Sequence, residues 1–257
     1  MAGLTRALRA VYRRARAHFG HQHWWPAETP FEVCVGAILT QNTTWTNVER
    51  ALQNLKSDGS LEPGRLWKLP VEELATRIRP AGYFRVKAGR LRAFLQVLME
   101  CYHGDITAML SGPTSEVRAR LLKIPGIGPE TADSMLLYAG GHAVFVVDAY
   151  TRRIFARHGW YEGSPCHGTE PDGTHTSTDH RVHEPLPIPP HHVAGLSYDA
   201  LQRLCQHALG HRKGKARLDY WQDYHAQLVM IGKHYCRARQ PRCCLCPLHD
   251  LLPRRLA

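Results

Sequence analysis

Apolar residues recur every three to four positions along most of this chain, the spacing of one buried helical face. Leu4 to Ala17 alternates apolar and basic residues in that rhythm and predicts a first helix that packs and anchors. Phe31 to Gln41 predicts a densely apolar helix, Thr46 to Leu55 a second, and Val71 to Arg77 a third whose first turn is acidic, as the helix dipole favours. Tyr83 to Cys101 sets Val86, Leu91, Phe94, Leu95 and Leu98 on one side and Arg85, Lys87, Arg90 and Arg92 elsewhere. It reads as an amphipathic helix with a basic face, either simply solvated or turned to a polyanion. Glu116 to Lys123 and Pro129 to Tyr138 predict two helices flanking a Pro-Gly turn, with Pro129 suited to a first helical position. Ala149 to His158, Tyr198 to Leu209 and Lys215 to Lys233 predict the remaining helices. Strand-like alternation is almost absent and no internal repeat stands out, so the expected fold class is all-α.

Residues 161–195 break the rhythm with Gly, Pro, Ser, Thr and His167, His175, His180, His183, His191 and His192. So polar a segment has little to bury and is expected to be a flexible insert, its histidines following no metal-ligand spacing. At 257 residues, 44% of them hydrophobic, the chain can form one large core or two smaller ones. Lys+Arg 33 against Asp+Glu 22 gives +11, which suggests a polyanionic partner, with a solvated basic surface as the plain alternative. No apolar run approaches the roughly 20 residues that span a bilayer, and Met1 to Arg16 is basic without the apolar core of a secretory signal. No membrane association is expected, and a cytosolic location is. Eight cysteines are too few for a disulfide scaffold, and Cys236, Cys243, Cys244 and Cys246 crowd together in a way that argues for metal. Cys34, Cys101 and Cys205 are expected to be buried thiols.

The segment from Ile124 to Asp133 contains Pro125, Gly126, Ile127 and Gly128 between two helices. Its small residues let backbone N–H groups approach one phosphate at the start of the next helix. The apolar run Ala143 to Val147 follows and delivers Asp148, twenty residues past Gly128, at the head of another helix. A carboxylate there can serve chemistry on whatever the turn grips, or merely cap the helix. The pair suggests chemistry on DNA.

Leu122 to Asp148 resembles the helix-hairpin-helix and catalytic aspartate of the endonuclease III superfamily of DNA base-excision glycosylases. The resemblance extends through Gly36 to Thr43, which is similar to the superfamily's first core helix and turn, and into the cysteine-rich tail. It implies two helical subdomains, one of residues 1–30 with 196–257 and one of residues 31–160 with the hairpin at 116–138. Double-stranded DNA carrying a damaged base would lie in the groove between them. It further implies a monomer, cytoplasmic and associated with the bacterial nucleoid.

In bifunctional members the hairpin is followed by a lysine that attacks the sugar. Here the matching residue is Glu130, and a carboxylate cannot form a Schiff base. The resemblance therefore implies a monofunctional enzyme that hydrolyses the N-glycosidic bond, with Asp148 stabilising the oxocarbenium-like sugar and orienting the water. Trp24, Trp25, Pro26 and Trp45 resemble the base pocket of the bacterial 3-methyladenine glycosylase branch, whose aromatic faces replace the stacking a flipped base has lost. Alternatively they staple the N-terminal segment to the core. Glu130 and Lys233 resemble additional pocket groups, although Glu130 also suits a solvated helix position. Gln41 resembles the residue that fills the gap left by the flipped nucleotide, or else is a polar helix end.

Cys236, Cys243 and Cys246 have the spacing C-x6-C-x2-C, similar to the first three ligands of the superfamily's [4Fe-4S] loop, here spanning 236–252. Arg237, Arg239 and Arg242 would contact phosphate. The fourth ligand position holds Leu252, so Cys244, His249 or an outside ligand must complete a cluster; otherwise the tail holds zinc or nothing. The chemical step itself needs no cofactor. The expected activity is excision of alkylated purines such as 3-methyladenine from duplex DNA. Its rivals are an endonuclease III-type enzyme for oxidised pyrimidines with lyase activity and a catalytically inactive DNA-binding homologue. Adenine removal from mismatches is a weaker rival, because the extra C-terminal recognition domain of such enzymes is missing.

Overall fold

The computed structural model describes residues 2–158 and 196–252, and within them the chain is helical without a strand. The expected insert at 161–195 lies outside the described residues. The helices are α1 (Ala2–Phe19), α2 (Pro30–Leu39), α3 (Trp45–Ser57), α4 (Pro63–Lys68), α5 (Val71–Arg77), α6 (Phe84–Tyr102), α7 (Ile106–Leu110), α8 (Thr114–Leu122), α9 (Pro129–Tyr138), α10 (Ala149–Arg157), α11 (Tyr198–Leu209) and α12 (Gly214–His234). Short 3-10 turns occupy Arg79–Ala81, Cys243–Leu245 and His249–Leu251. The helices α4 and α7 escaped the sequence reading because each is too short to show a period. Their starts are nevertheless chemical: Pro63 occupies a first helical position, and Asp105 accepts the N–H groups of Thr107 and Ala108 at 2.9 and 3.0 Å. No helix among the described residues is long and apolar enough to cross a membrane.

The chain divides into two compact units, Trp25–Val146 and Met1–Trp24 with Val147–Ala257. The expected boundaries, at 30/31 and 160, lie some residues downstream of these divisions. The first division falls at the Trp24–Trp25 bond, and the second precedes α10, which packs against α12. Ile154 and Phe155, fully buried, are the apolar face α10 contributes.

In the unit Trp25–Val146, α2 is buried along its whole length from Phe31 to Leu39 and packs on α9, α6 and α3. Thr29 caps it, accepting the Glu32 N–H at 3.1 Å, while the Glu32 carboxylate accepts the Glu28 N–H at 2.9 Å and pairs with Lys56. The two contacts close the helix start much as a capping box does, with Glu28 in place of Thr29 as the backbone donor. The basic face expected on α6 is corrected at two positions. Lys87 is 1% exposed, its ammonium donating to the carbonyls of Leu39 and Ala81 at 2.8 Å each, while Val86 is 55% exposed. Two carbonyl acceptors offset only part of the cost of burying this cation. Burial pushes the Lys87 amine down to about 8.

In the other unit, α1 packs against α11 and α12. Asp223, buried on α12, accepts from Tyr12 at 2.8 Å, Arg16 at 2.7 Å and the Gln22 N–H at 2.9 Å. The Tyr224 hydroxyl donates to the Leu8 carbonyl at 2.9 Å. The anchoring role expected of α1 thus rests on polar ties laid through an apolar seam. Cys34 and Cys205 are buried as expected, whereas Cys101 is exposed, being on the solvent side near the end of α6.

Candidate active site

Asp148 is the N-cap of α10. Its Oδ1 accepts the Thr151 N–H at 2.7 Å and the Thr151 hydroxyl at 2.8 Å, and its Oδ2 lies 3.5 Å from His225 Nε2 on α12. The carboxylate is therefore a cap, yet capping uses only one of its two oxygens. Both residues are buried, Asp148 at 8% and His225 at 6% exposure. Burial alone would raise the Asp148 carboxyl; His225 and the Thr151 donors outweigh it and hold the group below the ordinary carboxylate range. Tyr150 is pushed up, first by burial and then by the Asp148 charge. Upstream, the Val147 N–H donates to the Tyr198 hydroxyl at 3.3 Å, fixing the entry to the helix. Neither Thr151 nor His225 was read from the sequence. A Thr three residues after an N-cap Asp was a visible signal, but His225, 77 residues beyond Asp148 (225 − 148), was not.

The hairpin consists of α8, the turn Ile124 to Gly128, and α9, with α8 and α9 packed together. Gly126 has φ +87, a left-handed conformation that costs any other residue, and an added Cβ would collide with the Arg90 stem. Gly128 is the N-cap of α9 with nothing within 4 Å of an added Cβ, and no side chain caps the helix. An open, uncapped helix start is where an anion binds. The Ile127 side chain is buried and its N–H donates to the Ile124 carbonyl at 3.1 Å, which anchors the turn. Gln41 reaches the hairpin directly, its amide donating to the Gly126 carbonyl at 3.0 Å and to Thr131 Oγ1 at 2.9 Å while its oxygen accepts from Arg90. Glu130 is exposed in the first turn of α9.

The expected aromatic pocket is divided between the two units. Trp25 meets Trp45 edge-on with centroids 5.2 Å apart and lies 5.2 Å from Tyr138, a neighbour the sequence reading missed. An added Cβ at Gly36 would already touch the Trp25 ring at 3.5 Å, so the absence of a side chain on α2 gives the indole its seat. Pro26 is exposed. In the other unit, Lys233 Nζ stands 5.7 Å from the centroid of Trp24, within cation–π range.

Cys236, Cys243 and Cys246 line one pocket with Arg157, His158, His249, Leu248 and Leu252 among its other walls. Arg157 donates to Cys236 Sγ at 3.1 Å and the Leu248 N–H to Cys246 Sγ at 3.4 Å. Cys244 is exposed and does not line this pocket. Among the described residues, no group of three His, Cys, Asp or Glu side chains is gathered closely enough for a single metal ion. Arg237, Arg239 and Arg242 are exposed on the loop.

Residues 35–170 match the family described as HhH-GPD superfamily base excision DNA repair protein. The chain is 36% identical over 241 residues to a Methanocaldococcus jannaschii protein named as a DNA repair glycosylase, covering 93% of each. Its fold is similar to that of endonuclease III in a non-covalent complex with DNA, with a TM-score of 0.67 at 22% identity over 97% of this chain and 95% of that one. It is also similar to the H. pylori 3-methyladenine DNA glycosylase MagIII bound to 1,N6-ethenoadenine, with a TM-score of 0.61 at 22% identity over 89% and 96%.

Proposed function

Because the chain belongs to the HhH-GPD superfamily of base excision DNA repair proteins and is a DNA glycosylase, we propose that it is a monofunctional one that hydrolyses alkylated purines such as 3-methyladenine from duplex DNA. The observation that carries this reading is Glu130, exposed in the first turn of α9 at the position where the lyase members' lysine would stand. A carboxylate offers no amine to the sugar, so water is left as the nucleophile.

Asp148 supplies the charge. It is held ionised in a buried setting, where a fixed anion stabilises developing positive charge on the sugar far better than water does. As the base leaves, the carboxylate faces an oxocarbenium-like centre and orients the water that attacks it. Alkylation makes the departing purine cationic. Indole faces such as those of Trp25 and Trp45, with Tyr138 beside them, favour such a ring by about 0.5–2 kcal/mol over a neutral one. Glu130, on α9 of the same unit, would add an opposite charge, and in the other unit Trp24, with Lys233 over its ring, would add a further aromatic surface. The uncapped start of α9 would take a phosphate, Gln41 would occupy the space the flipped nucleotide leaves, and Arg237, Arg239 and Arg242 would add sequence-independent phosphate contacts.

A [4Fe-4S] cluster is the cofactor this reading assigns to the cysteine pocket. Cys236, Cys243 and Cys246 share the pocket, with His249 also in its wall and a fourth ligand still required. The three cysteines would hold the cluster, with N–H donors already at two of the sulfurs. Such a cluster would supply a structural clamp on the arginine-bearing loop. Glycosidic hydrolysis is redox-neutral and needs no electron from it.

The test is a panel of duplexes, each with a single defined lesion, assayed for base release with and without later alkali. Strand products that require alkali support hydrolysis. Incision of oxidised-pyrimidine duplexes without alkali, or a borohydride-trapped protein–DNA adduct, would support the endonuclease III-type reading instead.

A further inference from the structure

We propose that His225 is a positioning residue for the acid site, its ring on α12 fixing Oδ2 of Asp148 while Thr151 fixes Oδ1. This rests on the reading that Asp148 acts in base release. The Thr151 N–H and hydroxyl both converge on Oδ1, leaving Oδ2 to the His225 Nε2 at 3.5 Å. The two groups stand within ion-pair distance of each other, and with both buried solvent screens the contact little. The two helices that carry the pair are closely packed. The helices α10 and α12 approach so closely that a Cβ at Gly232 would collide with the Tyr150 ring, and Arg153 donates to the Cys236 carbonyl at 2.6 Å just beyond the end of α12.

Among the described residues, the groups recorded around the carboxylate come from α10, α11 and α12. From its own helix come Thr151, the Tyr150 ring and, stacked 5.0 Å over that ring, Arg153. From α11 comes the Tyr198 hydroxyl, which accepts the N–H of Val147. From α12 comes His225. Its removal leaves burial, which raises the carboxyl, opposed chiefly by the Thr151 donors. The sign follows: a carboxylate whose pKa rises becomes protonated, and inactive, at a higher pH than before.

Two variants separate charge from hydrogen bonding. H225L removes the polar edge of the ring altogether, and H225Q keeps an N–H donor on a side chain that cannot carry a charge. Single-turnover base release is measured from pH 4 to 8 on duplex carrying the alkylated purine, with DNA affinity measured in parallel. The expected result is an acid limb displaced upward by about one pH unit in H225L, a tenfold change in the ionised fraction at low pH, with DNA affinity unchanged and H225Q intermediate. An acid limb unmoved in both variants would overturn the proposal. If the wild type releases no base, the catalytic reading fails, and the pairing is still decided by thermal melts of H225L, D148N and the double variant. Loss of stability in H225L that largely disappears in the D148N background is expected; fully additive losses would overturn it.

Discussion

Gln41 donates its side-chain amide to the carbonyl of Gly126 at 3.0 Å, joining the turn after α2 to the hairpin between α8 and α9. The same amide reaches Thr131 Oγ1 at 2.9 Å, and the Gln41 oxygen accepts from Arg90 on α6. One side chain thus ties three segments together. Q41A is expected to lower stability by about 1–2 kcal/mol, the net worth of a few partly exposed hydrogen bonds, and to weaken binding to duplexes with an extrahelical base. Denaturant titration and DNA affinity check both parts.

Gly126 and Gly128 separate backbone strain from ligand access. G126A forces a Cβ into a left-handed conformation and into the Arg90 stem, and is expected to cost roughly 1–3 kcal/mol. G128A has ordinary φ and open space around the new methyl, so its fold should be unaffected, while duplex affinity falls because the methyl stands where a phosphate would approach. Melting temperatures and Kd of the two variants provide the comparison.

Lys87 gives a pH signature. Its amine titrates at about 8 in the folded protein against 10.5 for the ordinary group, so between those values the unfolded chain binds the extra proton and stability from this group rises with pH. Denaturation of the wild type across that window should show a rise that K87M lacks, and K87M should be less stable overall because the Leu39 and Ala81 carbonyls lose their donor.

Lys87 also marks what the sequence hid. Helical periodicity located the long helices to within a few residues, and the limits of α5, α9 and α11 match the expected ones, because those segments carry strong start signals such as Pro129 and an acidic first turn. The same pattern could not tell that one cation on α6 turns inward and Val86 outward, since that depends on carbonyls brought by α2 and the 3-10 turn. The place of Asp148 at the head of α10 was legible from the apolar run before it, whereas the proximity of His225 was not, because only packing of α10 on α12 brings it near. Likewise Trp24 and Trp25 are neighbours in sequence, yet they lie in different compact units.

The cysteine loop predicts a metal dependence. Anaerobically purified protein is expected to carry about four iron atoms with visible absorbance, and C246S is expected to lose both and to melt at lower temperature, the Cys246 thiol being partly buried in the pocket wall. Stoichiometric zinc with no iron would contradict the cluster.

The most direct test of the central claim is single-turnover release of an alkylated purine by wild-type protein and D148N, with duplex affinity measured alongside. The expected result is release by the wild type, a loss of several orders of magnitude in D148N, and similar affinity for both. Equal release by the two proteins would contradict the assignment of Asp148 as the group that stabilises the sugar cation.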